Sequence, residues 1–134
     1  MFNDTIVAQA TPSGLGGVSV VRISGPRVTK IGKKLVKRNV NTCIKKPSLF
    51  NVFSRQNEII DKALITFFKG PSSYTGEDIL EISCHGNPLI VNEIIKTTCQ
   101  YGARIPDPGE FTFRSYINGK MDLIQAEAVS TLIE

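Results

Sequence analysis

The chain has 134 residues, 41% of them hydrophobic and 21% charged, with a formal net charge of +4. That is one domain's worth of sequence, long enough to bury about two-thirds of its unfolded surface, and its composition excludes both a disordered tail and a miniprotein dependent on metal or disulfides. The longest apolar run, Ala63 to Phe68 broken only by Thr66, is too short for a membrane span, and Cys43, Cys84 and Cys99 are odd in number and lack metal-ligand spacing, so reduced thiols are expected.

Taken in chain order, Thr5 to Gln9 and Val18 to Ser24 are β-branched runs separated by Pro12, Gly14, Gly16 and Gly17, which predicts two paired strands and a loop. Ahead of them, Asn3 and Asp4 precede any apolar stretch and no basic, then apolar, leader is written there, from which a cytoplasmic location is expected. Val28, Ile31 and Leu35 recur at helical spacing after Pro26 and predict an amphipathic helix ending near Asn39 to Asn41. Leu49 to Phe53, Lys62 to Phe68 and Ile79 to Cys84 are strand candidates. Ser73 to Asp78 reads as a tight turn in which Gly76 takes a positive φ. Asn87 as cap, Pro88 at the first helical position and Gly102 beyond the end bound a further helix, with Val91, Ile94, Ile95 and Thr98 as its buried stripe.

The last part is the most heavily punctuated. Asp107, Pro108 and Glu110 have the types wanted at a cap, a first position and a capping carboxylate, so a helix is expected from about Pro108 to the Asn118-Gly119 stop. Asp122, with Gln125 three residues on, caps a second helix running to Glu134 without a stop signal, and that helix reads as cut rather than finished. Together the elements predict an α+β fold: a mixed or largely antiparallel sheet with two or three packed helices, plus the first helix of a following helical domain.

Four features carry possible chemistry. Lys120 sits in the break between the last two helices, where a short corner confines its ammonium and suits a carboxylate or phosphate; an ordinary solvated lysine is the competing reading. Arg22 lies in an otherwise apolar strand and needs a partner, which Glu81 or Asp78 would supply as a structural ion pair, or which a ligand shared with Glu81 and Lys120 would supply instead. Cys84 and His85 are adjacent in a strand and point to opposite faces, so they do not form a nucleophile and base pair, and His85 reads as a structural or hydrogen-bonding group. Finally, Arg27, Lys30, Lys33, Lys34, Lys37, Arg38, Lys45 and Lys46 fall together with no acidic residue among them. Such a segment can track a nucleic-acid backbone, but no aromatics interleave it, and a solvated helix face accounts for it as well.

Neither glycine-rich segment makes a phosphate loop. Gly14 to Gly17 leads into a strand rather than a helix, and Gly119-Lys120 has Arg114 in place of the first glycine and Met121 in place of the hydroxyl residue, so no GTP site is expected in this chain.

Three blocks, DTIVAQATPSGLGGVSVVRISGP from Asp4, SYTGEDILEISCHG from Ser73, and PGEF followed by NGKMDLIQAEA, resemble the N-terminal domain of the tRNA uridine-modification GTPases called MnmE or TrmE. The resemblance implies a tetrahydrofolate-binding and dimerisation domain over 1–119, the start of a central helical domain over 120–134, and a GTP-binding domain that is absent here. It implies a 5-formyl or 5,10-methylene tetrahydrofolate held by Arg22, Glu81 and Lys120, with no catalytic or metal-binding residue. It further implies a homodimer which, with a FAD-dependent partner subunit, adds a carboxymethylaminomethyl-type group to C5 of a tRNA wobble uridine. GTP, magnesium and potassium would belong to the longer protein, and the isolated chain would be inactive alone. The alternative from another class is a basic RNA-contacting or scaffold module without functional folate binding, and a third is a freestanding folate-dependent transferase.

Overall fold

The computed structural model describes residues 2–133, with side chains through 129. Its elements are β1 (Thr5–Gln9), β2 (Val18–Ser24), α1 (Val28–Val36), α2 (Val40–Cys43), β3 (Ser48–Phe53), β4 (Ile59–Phe68), β5 (Ile79–His85), α3 (Pro88–Gln100), β6 (Ala103–Arg104), α4 (Glu110–Ile117) and α5 (Leu123–Ile133). The strands form one six-stranded sheet in the order β3-β4-β5-β2-β1-β6, antiparallel throughout except for the parallel β1–β6 pair. The expected α+β fold with a largely antiparallel, mixed sheet is what the chain adopts.

Strand alternation divides the sheet into two unlike faces. Val7, Val21, Ile23, Leu80, Ile82 and Cys84 turn inward and bury against Ile31 and Leu35 of α1 and Val91 and Ile94 of α3. Each such aliphatic side chain contributes about 1.5–3 kcal/mol of transfer free energy. The opposite face carries two rows in register. Leu49, Leu64, Ser83 and Val20 form one, and Thr66, Glu81, Arg22 and Ala8 form the other. The first row is open to solvent at its outer end, with Leu49 61% and Leu64 38% exposed. The second is roofed in part by Tyr74 and by Phe111 of α4, both of which stand over Arg22.

Local punctuation explains most boundaries. Asn87 caps α3 by accepting a hydrogen bond from the Leu89 N–H at 2.9 Å, with Pro88 at the first position. Asp122 and Gln125 exchange side chain to backbone bonds of 2.8 and 3.0 Å at the start of α5. Gly86 has to lack a side chain, because a Cβ there would lie 2.2 Å from the Gly16 carbonyl oxygen where the β1–β2 loop crosses the end of β5.

Several expectations need correction. The helix predicted from Pro108 begins at Glu110, and its cap is Gly109 at φ 75°, not Asp107. Residues 107–110 make a turn first, in which Glu110 still accepts from the Asp107 N–H at 2.9 Å, so the capping carboxylate acts without a helical Pro108. The first helix stops at Lys37, which takes a left-handed conformation, and Asn39 starts a separate short helix instead of ending the first. β4 begins three residues earlier than predicted, at Ile59, paired with Phe53 across a register shift. In α3 the buried stripe takes in Thr97, and Ile95 is only partly covered. The two-residue β6 was not predicted. Glu134, the end of the expected last helix, lies outside the described residues. Among the described residues, no helix is long and apolar enough to cross a membrane, and no cluster of metal-ligating side chains occurs.

Candidate functional site

Because Arg22 and Glu81 are directly opposed across the β2–β5 register, their side chains meet on the open face. The Arg22 guanidinium donates through Nε to Oε2 of Glu81 at 2.9 Å, with Nη2 at the same distance from that oxygen in the ion pair, and each side chain is about a quarter exposed. Glu81 Oε1 takes no hydrogen bond from any described residue. Above the pair, the Arg22 guanidinium carbon stands 5.3 Å from the Tyr74 ring centroid and 5.8 Å from that of Phe111. A half-desolvated cation between two aromatic faces is held electrostatically as well as sterically.

Arg22 forms part of the wall of a cleft of about 850 Å³ whose other walls are the end of β1 with its following loop, Tyr74, the 105–109 connection, and Phe111 and Thr112. That volume is within the ordinary range of small-molecule sites, and an apolar lining with a few convergent polar groups is their usual composition. Pro106 and Pro108 stiffen one wall, and the Tyr74 and Thr112 hydroxyls, 3.1 Å apart, tie the loop wall to the helix wall.

Glu81 does not line this cleft; it braces Arg22 from the β5 side. Lys120 is not in the lining either. It follows the α4 stop, its N–H bonded to the Ser115 carbonyl at 2.8 Å, and its Cγ lies 3.4 Å from where a Cβ on Gly76 would stand. Gly76 takes φ 83°, as expected of the Ser73–Asp78 turn. Arg22 and Lys120 therefore abut the same loop two residues apart, one under Tyr74 and the other against Gly76. The structure brings Arg22 and Glu81 into contact, and it packs Lys120 against Gly76 of the Ser73–Asp78 turn, outside the cleft lining.

Beneath the site lies a residue that the sequence reading passed over. Arg114 of α4 is fully buried. Its Nη1 donates to the Asp4 carbonyl at 2.9 Å and to both Glu77 oxygens at 3.1 Å, and its Nη2 donates to Asp4 Oδ1 at 2.6 Å and Glu110 Oε2 at 3.0 Å. Arg104 from β6 grips Asp4 and Glu110 as well. Glu77 in turn accepts from Ser24 Oγ at 2.8 Å, so the network ends two residues from Arg22 on β2. Burial by itself would push the Arg114 pKa down, but the hydrogen bonds and charge of Glu77, then Glu110 and Asp4, outweigh it and raise it. Burial likewise pushes Glu110 up, while the bonds from Arg104, the Asp107 N–H and Arg114 bring it net below the usual carboxylate range. Asp4 is lowered chiefly by its hydrogen bond from Arg104. The sequence held one local signal for this hub, the Glu110 to Arg114 spacing of one helical turn; the partners Asp4 and Glu77 lie 110 and 37 residues away.

His85 is exposed, and its Nδ1 and N–H both bond to Asp61 at 2.9 Å, a strand-end tie in keeping with a structural role. Cys84 is on the buried face, where burial raises its pKa, and the two side chains do not meet as a catalytic pair.

The fold and this cleft define a class: a domain with a largely antiparallel sheet, α1 and α3 packed on one face and, on the other, an arginine–carboxylate pair beside a ligand-sized cleft. The family is specific. Residues 5–120 match the family described as the GTP-binding protein TrmE N-terminus, and the chain belongs to it. It is 51% identical over 130 residues to the tRNA modification GTPase MnmE of Francisella philomiragia, covering 97% of this chain and 28% of that protein. It is 46% identical over 132 residues to the tRNA modification GTPase MnmE of Aliarcobacter butzleri, covering 98% of this chain and 29% of that protein. The chain thus spans less than a third of the length of these relatives.

Proposed function

We propose that this domain holds a reduced folate, in its 5-formyl or 5,10-methylene form, for a longer homodimeric protein that modifies tRNA. The observation that carries the reading is the Arg22–Glu81 pair, of which Arg22 lines the cleft and Glu81 stands behind it with one carboxylate oxygen uncommitted. A pterin presents adjacent N–H donors that a carboxylate can accept, and a glutamyl tail presents carboxylates that Arg22 and Lys120 can bind. The cleft is large enough for a pterin with its aminobenzoyl ring, and Tyr74 and Phe111 offer it flat apolar walls.

When bound, the folate supplies the one-carbon unit. The chain's own part is to orient it: Glu81 holds the pterin edge, Arg22 and Lys120 the glutamyl tail, and the Arg114 network keeps α4 and the Ser73–Asp78 loop in place around it. In the longer protein, a FAD-dependent partner subunit completes the addition of a carboxymethylaminomethyl-type group at C5 of the wobble uridine. The exposed row from Leu49 and Leu64 toward Val20 gives a half-apolar sheet face suited to a second copy, and its exposure supports the homodimer reading.

Calorimetric titration with 5-formyl-tetrahydrofolate, with the mass in solution measured on the same sample, tests the reading. A dimer that binds the folate is expected, with affinity falling at least tenfold in Glu81→Gln and in Lys120→Ala. Wild-type affinity in both variants would remove these residues from the site.

A further inference from the structure

The eight cations between Arg27 and Lys46 are all exposed. In α1, Val28, Ile31 and Leu35 take the core, which leaves Lys30, Lys33, Lys34 and Lys37 to solvent. Lys33 and Lys34 suit the negative end of the helix dipole. That account does not extend to Arg38, Lys45 and Lys46, which follow the helix, or to Lys62, which comes from β4. Among the described residues no carboxylate forms an ion pair with any of these cations, so no close partner there offsets their mutual repulsion.

Where α1 ends against the β3–β4 hairpin there is a groove of about 340 Å³ lined by Lys37, Arg38, Lys62, Asn51, Phe50 and Phe53, and no carboxylate lines it. The Lys37 ammonium stands 5.2 Å from the Phe53 ring and donates to Asn57 Oδ1, and Lys34 stands 5.2 Å from the Tyr101 ring. These contacts restrict the ammonium groups to defined places. No aromatic interleaves the cations in sequence; folding delivers Phe50 and Phe53 to them from β3.

We infer that this groove and the basic side of α1 bind the phosphate backbone of RNA. The choice of RNA rests on the tRNA reading above, while the site rests on its own charge and shape. Lys30 and Lys34 stand about one helical turn apart, an advance of about 5.4 Å that is comparable with the step between phosphates along a strand, and Lys37 follows at the end of the helix. The groove beside them offers amide and aromatic groups to a ribose or base edge, as RNA-binding surfaces do and as a purely electrostatic patch for an acidic protein would not require.

The test is fluorescence anisotropy of the full chain with labelled total tRNA across a salt series. Substituting Lys30→Gln, Lys34→Gln, Arg38→Gln and Lys62→Gln together is expected to weaken binding at least tenfold at about 0.1 M salt and to flatten the salt slope by about one per charge removed. The pair Arg38→Gln and Lys62→Gln, both groove residues outside the helix, gives about half that change in slope and guards against misfolding of the fourfold variant. Lys69→Gln with Lys96→Gln removes two charges elsewhere and leaves affinity within threefold. Binding of the fourfold variant within threefold of wild type, or equal competition by polyglutamate and tRNA, would overturn the inference. Folate titration of the same variants keeps the two readings apart: the groove variants retain wild-type folate affinity, and Glu81→Gln retains tRNA binding.

Discussion

A single arginine illustrates how little of a residue's role is visible in its neighbours along the chain. Arg114 looks like one more polar position on a short helix, yet it is the largest fully buried side chain and joins the N-terminal arm, the Ser73–Asp78 loop and α4. Removing one member of a buried charge cluster leaves the others desolvated without compensation, which typically costs about 3–5 kcal/mol. Arg114→Ala is therefore expected to lower unfolding stability by that amount in urea denaturation, and a loss under about 1 kcal/mol would mean the network contributes little. Arg22 shows the reverse. Its position in an apolar strand already demanded a partner, and Glu81, one of the two candidates named from sequence, supplies it. The same logic could not place Lys120, because its neighbourhood is set by Gly76, a residue of a distant loop.

Among the elements, those with caps written in their own residues were legible. α3 is bounded by Asn87 and Pro88, and β1 and β2 by their β-branched composition, so the predicted limits of the two strands match the observed ones. Elements decided by partners were not legible: β6 exists because β1 offers an open edge to Ala103 and Arg104, and α4 starts late, after a left-handed Gly109, with Glu110 answering to Arg104 and Arg114 rather than to Pro108. Backbone crossings set a similar constraint. Gly86→Ala would place a methyl against the Gly16 carbonyl, so either the β1–β2 loop shifts or the end of β5 does. Thermal unfolding is expected to fall by several degrees, together with faster amide exchange at Gly16 and Gly86, whose N–H groups bond across this crossing. Unchanged exchange at both would show that the loop absorbs the methyl freely.

Across the whole molecule, acid stability follows from Asp4 and Glu110. Both are held below the ordinary carboxylate range in the folded state, so the unfolded chain binds protons first as the pH drops. Their contribution is fully present above the unfolded carboxylate value of about 4 and is lost as the pH falls through the lower folded values. Melting temperature is expected to be level from about pH 5 to 8 and to drop steeply below about pH 4. In Asp4→Asn the drop should be shallower and start from a lower plateau. A wild-type curve that is flat to pH 3 would refute this coupling.

What the sequence determined by itself was local or periodic: the strand and helix alternation, the caps, the turn at Gly76, the α+β class, and a family signature spread over three blocks. These depend on a residue and those within a few positions of it, where propensity and capping act. The tertiary structure alone decided which of the distant polar groups meet. It set Arg22 against Glu81 under Tyr74 and Phe111, buried Arg114 among three carboxylates, and carried Phe50 and Phe53 to the basic helix. Contacts of that kind arise from strand register and from burial across the whole chain, and no short window of residues contains the free energy that selects them.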